Sequence, residues 1–178
     1  MPLLVLAACK PPAADGYVER VDLAKAGPFP SEPLPSPDTA GALWAQSATA
    51  GQIIYGQPGK PPLVALACAR TQDGASIRLT RYSPADPEAQ AFAALIGNSH
   101  MLRLPVDAVR EGQLWIWRGE IPAGDTRLEA LTGAREVELT IPGAGTTVLN
   151  PSSEPAQLID RCRGTAALPL PAPPATPQ

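Results

Sequence analysis

From about Ala40 onward, apolar residues recur in short runs with a period close to two, each run broken by Gly, Pro, Asp or Ser. Alternation of this kind places every second side chain on one face, which is the signature of half-buried strands. In "SIRLTRY", Ile77 and Leu79 share one face while Arg78 and Thr80 share the other. The strands expected on this basis are "ALWAQS", "GQIIYG", "LVALACAR", "SIRLTRY", "HMLRLPV", "GQLWIWRGEI", "REVELTI" and "TTVLN". Turn chemistry separates them: Ala48-Thr49-Ala50-Gly51, Gln72-Asp73-Gly74 and Pro142-Gly143.

Helical signals are fewer. "PEAQAFAALIG" follows Asp86 and opens on Pro87, an N-cap and a first helical position, so a short helix is expected there. A second runs from Asp125 to a stop at Gly133, and "SSEPAQLIDRCR" closes the domain, capped by Ser152 or Ser153. The sum is an α+β fold, mostly antiparallel β, a decorated β-sandwich or barrel with about three short helices. The alternating strand–helix rhythm of a parallel sheet is absent from the sequence.

The flanks read differently. Residues 1–8 form an apolar run, and the stretch from Lys10 to Asp38 contains seven prolines (11, 12, 28, 30, 33, 35 and 37). Proline fixes φ and removes a donor, so residues 9–39 favour an extended polyproline tether over a packed element. The folded domain is expected over 40–164. A tail over 165–178 has five prolines and no charged residue, a composition expected to be disordered.

The opening stretch gives the tether a purpose. Leu6-Ala7-Ala8-Cys9 resembles a bacterial lipobox, which implies that Cys9 becomes the diacylated first residue of the mature protein. The apolar run is shorter than a full signal and no basic residue precedes it, so the true translation start is expected upstream of Met1. Two acyl chains give durable anchoring where one does not. Lys10 after the acylated cysteine, in place of an Asp, resembles the pattern of lipoproteins sorted to the outer membrane. The competing reading of the run is a buried strand in which Cys9 is a small core hydrophobe.

Three cysteines are an odd number for an exported chain. Acylation of Cys9 leaves Cys68 and Cys162, expected to pair as a disulfide in an oxidising periplasm; the other possibility is two separate buried thiols. Three scattered cysteines and the single His100 match no metal-ligand spacing, so no metal or other cofactor is expected. A net charge of −3 without a basic stripe gives no attraction for nucleic acid.

Candidate chemistry is sparse. Ser99 and His100 are adjacent, so in a strand they point to opposite faces and cannot pair as nucleophile and base. "PGAGTTV" lacks the lysine of a phosphate loop and reads as a turn, and Glu136 and Glu138 read as a solvated strand edge. For recognition the stretch "LWIWRGE" stands out. Trp115 and Trp117 share a strand face, with Arg118 beside them on the other; exposed, the indoles would form a platform for a glycan or headgroup, and buried, they would be core. Arg78, Arg81, Arg103 and Arg118 form a cationic patch if the strand register brings them together.

Trp44 at the start of the domain, a cysteine on a core strand and the ending "LNPSSEPAQLIDRCRG" together resemble small exported proteins of alphaproteobacteria with paired cysteines at those places. More loosely, the chain over about 41–164 is similar to the invasion-associated locus B family. That resemblance implies an exported β-rich domain and no particular activity. The expectation is therefore an envelope lipoprotein, anchored in the outer membrane and facing the periplasm, whose domain is a non-catalytic module binding an envelope protein or glycan. The alternatives are a hydrolase of cell-wall or glycan substrates and an assembly subunit.

Overall fold

A computed structural model describes residues 32–71 and 74–166. Cys9, the rest of the N-terminal run and tether up to residue 31, the turn residues Gln72 and Asp73, and the tail beyond 166 lie outside the described residues.

Among the described residues, nine strands follow one another: β1 (Leu43–Gln46), β2 (Gln52–Gly56), β3 (Val64–Thr71), β4 (Gly74–Pro84), β5 (Gln90–Gly97), β6 (His100–Glu111), β7 (Leu114–Pro122), β8 (Val137–Ile141) and β9 (Gly145–Leu149). A 3₁₀ turn covers Thr126–Leu131 and one α-helix, α1, covers Glu154–Ala166. All ladders are antiparallel and join in the order β1-β2-β3-β4-β7-β6-β5-β8-β9, a single sheet curled into a nearly closed barrel. The expected fold class is therefore the observed one, in its barrel form.

One expected helix is a strand. "PEAQAFAALIG" supplies β5, bonded to β6 on one side and β8 on the other. Its alanines favour a helix locally, but the ladders on both edges override that weak preference. Glu88, with φ of 61°, breaks the proposed first turn. Ala93 and Leu95 point into the core while Phe92 and Ile96 point out, the period of a strand. The turn back to β6 is a two-residue hairpin, with Asn98 and Ser99 both at positive φ (51° and 65°), the geometry that matches strand twist. The other two expected helices stand where the sequence put them. Asp125 caps the 3₁₀ turn by accepting from the Arg127 N–H, and the Ser152 hydroxyl accepts from Glu154 N–H at the start of α1.

β6 also runs longer than "HMLRLPV", through Pro105 to Glu111. The Ala108 N–H donates to the Ala89 carbonyl, so even-numbered positions of β6 bond toward β5. Pro105, lacking a donor, has its nitrogen on the other edge, where the ladder to β7 begins only at Asp107.

The core fills the barrel. Ile53, Tyr55, Leu66, Ile77, Leu79, Leu95, Leu102, Leu104, Leu139 and Leu149 are buried in one cluster. Leu128 and Leu131 of the 3₁₀ turn and Leu158, Ile159 and Cys162 of α1 join it, closing the end that carries the β3–β4 and β5–β6 hairpins. Cys162 is disulfide-bonded to Cys68 on β3, with Cα atoms 5.6 Å apart and 94 residues between them in sequence. The bridge ties the closing helix to the barrel wall.

β9 and β1 are the two edges of the sheet, and Tyr55 spans the seam from inside. Its hydroxyl donates to the Val148 carbonyl (2.9 Å) and accepts from the Asn150 N–H (3.0 Å). The Asn150 amide in turn donates to the carbonyls of Thr39 and Ala42. Residues 34–39, on the tether side of the boundary drawn from sequence, lie along the same seam. Leu34 N–H donates to Gly143 O, and the Ser36 hydroxyl accepts from Thr146 N–H. The phenolic pKa of Tyr55 is raised, chiefly by burial. Tyr55→Phe keeps the ring but strands a part-buried carbonyl and N–H, and a loss of about 2 kcal/mol in urea unfolding is expected.

Candidate functional site

The residues singled out for recognition fall on β4, β7 and β6, toward the barrel end opposite α1. That end carries the β2–β3 loop, the β6–β7 turn and the β4–β5 connection. Register places Arg81 opposite Trp117 and Thr80 opposite Arg118 across β4 and β7. On the other side of β7, Trp117 faces Ala108, Arg118 faces Asp107 and Trp115 faces Arg110. Past Arg81 the β4–β7 pairing shifts, so that Pro84 is next to be matched, to Ile116. Across this irregularity Tyr82 N–H donates to Leu63 O and Ala85 N–H to Trp115 O.

The two tryptophans do share a face, and it is the inward one. Trp117 is 6% exposed and belongs to the core cluster, while Trp115, one step nearer the mouth, is half-buried. No open aromatic platform is formed. The Trp117 Nε1 is buried with no hydrogen-bond partner.

Register also divides the arginines. Arg78 and Arg118 lie on the outer face and each has an acidic neighbour: Arg78 Nε donates to Glu120 at 2.6 Å, and Arg118 Nη2 to Glu111 at 2.5 Å. The Glu120 carboxyl sits below its ordinary pKa because Arg78 donates to it, with Ser76 Oγ adding a second bond. Arg103 is exposed on the outer face of β6. Arg81, three residues from Arg78 and so on the opposite face, points inward and is 4% exposed. The four arginines thus make no common patch. Arg81 stands in the core alternation after Ile77 and Leu79. Burial pulls its pKa below the ordinary arginine value.

His100 opens β6 directly after the left-handed Asn98-Ser99 turn, exposed, with Nδ1 2.8 Å from Asn98 O. The Asn98 side chain donates to Ala130 O and accepts from Arg135 N–H, which pins the 3₁₀ turn to the hairpin. Among the described residues no three His, Cys, Asp or Glu side chains gather in a group that could hold a metal ion.

Two surface features were not singled out from sequence. Phe92 (61% exposed), Ile96 and Met101 form an apolar stripe on the outer face of β5 and β6, where Ile96 faces Met101 and Phe92 faces Pro105. Its signal was the alternation inside "AFAALI", masked by the helix-like alanines. A shallow hollow of about 200 Å³ lies against Leu43, Ala45, Ile54 and the loop through Pro58, Lys60 and Pro62.

Compared with known proteins, the chain matches no family model, no curated protein and no solved structure.

Proposed function

We propose that this chain is an extracytoplasmic lipoprotein, acylated at Cys9 and held at the outer membrane by its proline-rich tether. Its barrel serves on the periplasmic side as a non-catalytic binding or structural module of the cell envelope. The observation that carries this reading is the Cys68–Cys162 disulfide. Such bonds persist in oxidising compartments and are rare where glutathione and thioredoxin keep thiols reduced. With that pair joined, Cys9 is the remaining cysteine of the chain, preceded by the small residues Ala7 and Ala8 that a lipobox requires. The fold supports a binding or structural role through its rigid frame: helix, 3₁₀ turn and strands share one core, sealed by the Tyr55 and Asn150 bonds.

Fractionation of cells expressing the chain from its native upstream region tests the anchor. Wild type is expected in the membrane pellet, released by detergent and retained through a high-salt wash. Cys9→Ala is expected in the soluble fraction or as uncleaved precursor. A wild-type chain that washes off with salt, or a Cys9→Ala variant that stays in the pellet as mature protein, contradicts the proposal.

A further inference from the structure

We infer that the barrel end opposite α1 binds an oxyanion, a carboxylate or phosphate group, between the guanidinium of Arg81 and the indole N–H of Trp117. The inference goes beyond the anchor and stands whether or not Cys9 is acylated.

It starts from a break in the pattern. Along β4 the inward positions run Ile77, Leu79, Arg81, so a cation occupies a place that the barrel fills elsewhere with aliphatic side chains. With 4% exposure the residue as a whole is almost entirely buried. Its guanidinium has two neutral carbonyls, both on Nη1: Leu63 O at 3.0 Å and Tyr82 O at 3.5 Å, the second at the limit of a useful bond. Among the described residues no carboxylate lies within ion-pair distance of it; the ion pairs of the neighbouring strands, Arg78–Glu120 and Arg118–Glu111, are on the outer face. A buried charge without a counter-charge is among the costlier features a fold can keep.

The second observation is independent. Directly across the ladder, Trp117 has its Nε1–H buried and unpartnered. A cation without a counter-charge and an indole N–H without an acceptor therefore occupy paired inward positions on adjacent strands, and leaving a buried donor unmade carries its own penalty. A single oxyanion satisfies both, taking a charge-assisted bond from the guanidinium and a second bond from the indole. Nε and Nη2 of Arg81 are left for it, since the protein's own acceptors engage Nη1.

The surroundings suit such a group. Small side chains adjoin the pair: Ala108 of β6 faces Trp117, and beyond it come Ala89, just before β5, and Ala91 on β5. One step nearer the mouth, the half-buried Trp115 faces Arg110, which places a second cation on the entry path. Two acids on β6 are engaged on the outer face: Glu111 pairs with Arg118, and Asp107 accepts from Gln90. The chemistry that fits is a single carboxylate or phosphate with room at the mouth for an apolar substituent against Trp115.

The test is the thermal midpoint of the full chain titrated with sodium phosphate and, separately, sodium octanoate, each against sodium chloride at matched ionic strength. A ligand that binds the native state raises the midpoint with the logarithm of its concentration. Wild type is expected to rise with at least one of the two. A rise with octanoate alone assigns a carboxylate carried on an apolar chain, and a rise with phosphate alone assigns a phosphate group. Arg81→Met, of similar volume and uncharged, is expected to melt no lower than wild type in chloride and to be indifferent to both anions. Trp117→Phe keeps the ring and the arginine and is expected to bind about tenfold more weakly, the effect of one lost hydrogen bond; it decides the matter if Arg81→Met does not fold. A wild-type midpoint unmoved by either anion, or variants that respond as wild type does, would overturn the inference.

Discussion

Replacing Cys68 and Cys162 together by alanine is expected to lower the unfolding free energy by about 4 kcal/mol, a substantial share of the roughly 5–15 kcal/mol by which a domain is stable. The bridge closes a loop of 94 residues, which includes seven of the nine strands in whole or part. Cross-linking a loop that long removes much of the freedom of the unfolded chain, and loop-closure entropy grows with the logarithm of length. A second consequence is local. Without the bridge, α1 is held to the barrel by Leu158, Ile159 and the bonds of Arg163 to Ala123 O and Glu129. Hydrogen exchange of the double variant should therefore show α1 opening well before β5 and β8 do. Urea titration with and without reductant measures the whole effect. A double variant within 1 kcal/mol of wild type, by the ~4 kcal/mol scale above, would mean that the bridge constrains neither state.

Gly119→Ala is expected to cost about 3 kcal/mol. Gly119 points inward on β7, beside Leu104, Pro105 and Val106 of β6. A Cβ there would run into the Pro105 carbonyl, with Val106 Cγ1 at 2.9 Å and the Leu104 side chain at 3.0 Å. The obstacle nearest to it is backbone, which cannot rotate away as a side-chain tip can. The same place is where β6 leaves β7, since their ladder stops at Asp107 and Arg118. Added bulk would push the strands apart at the corner that lets nine strands curl toward closure. Gly124→Ala, with no atom within 4 Å of the added carbon, is the control and should remain within about 0.5 kcal/mol of wild type. Equal effects at the two sites in chemical denaturation would contradict this account of the corner.

Eight of the strands were legible because their alternation is strong and their turns carry Gly, Pro or Asp. "SIRLTRY" and "REVELTI" could be assigned from pattern alone, and the Asp125 and Ser152 caps were visible as residue types before their bonds were known. β5 was hidden because Ala89, Ala91, Ala93 and Ala94 satisfy a helix as readily as a strand, and the choice is made by ladders to β6 and β8 that no local window contains. The cysteine pair could be reasoned from an odd count. The arginines could be split by parity, since Arg78 and Arg81 are three apart and cannot share a strand face. What parity could not give was depth: that Arg81 has no acid beside it, or that Trp117 lies across from it with an idle N–H, depends on register across β4 and β7. The Tyr55 bond to Val148 joins residues 93 apart in the chain and had no local signal at all.

The measurement closest to the central proposal is the intact mass of the protein from cells grown on a labelled fatty acid, with the gene carried on its native upstream region. The account predicts a labelled chain that begins at Cys9, bears diacylglycerol on that sulfur, and has Cys68 and Cys162 oxidised to each other. An unlabelled chain that retains Met1, with all three cysteines open to alkylation before reduction, would contradict it.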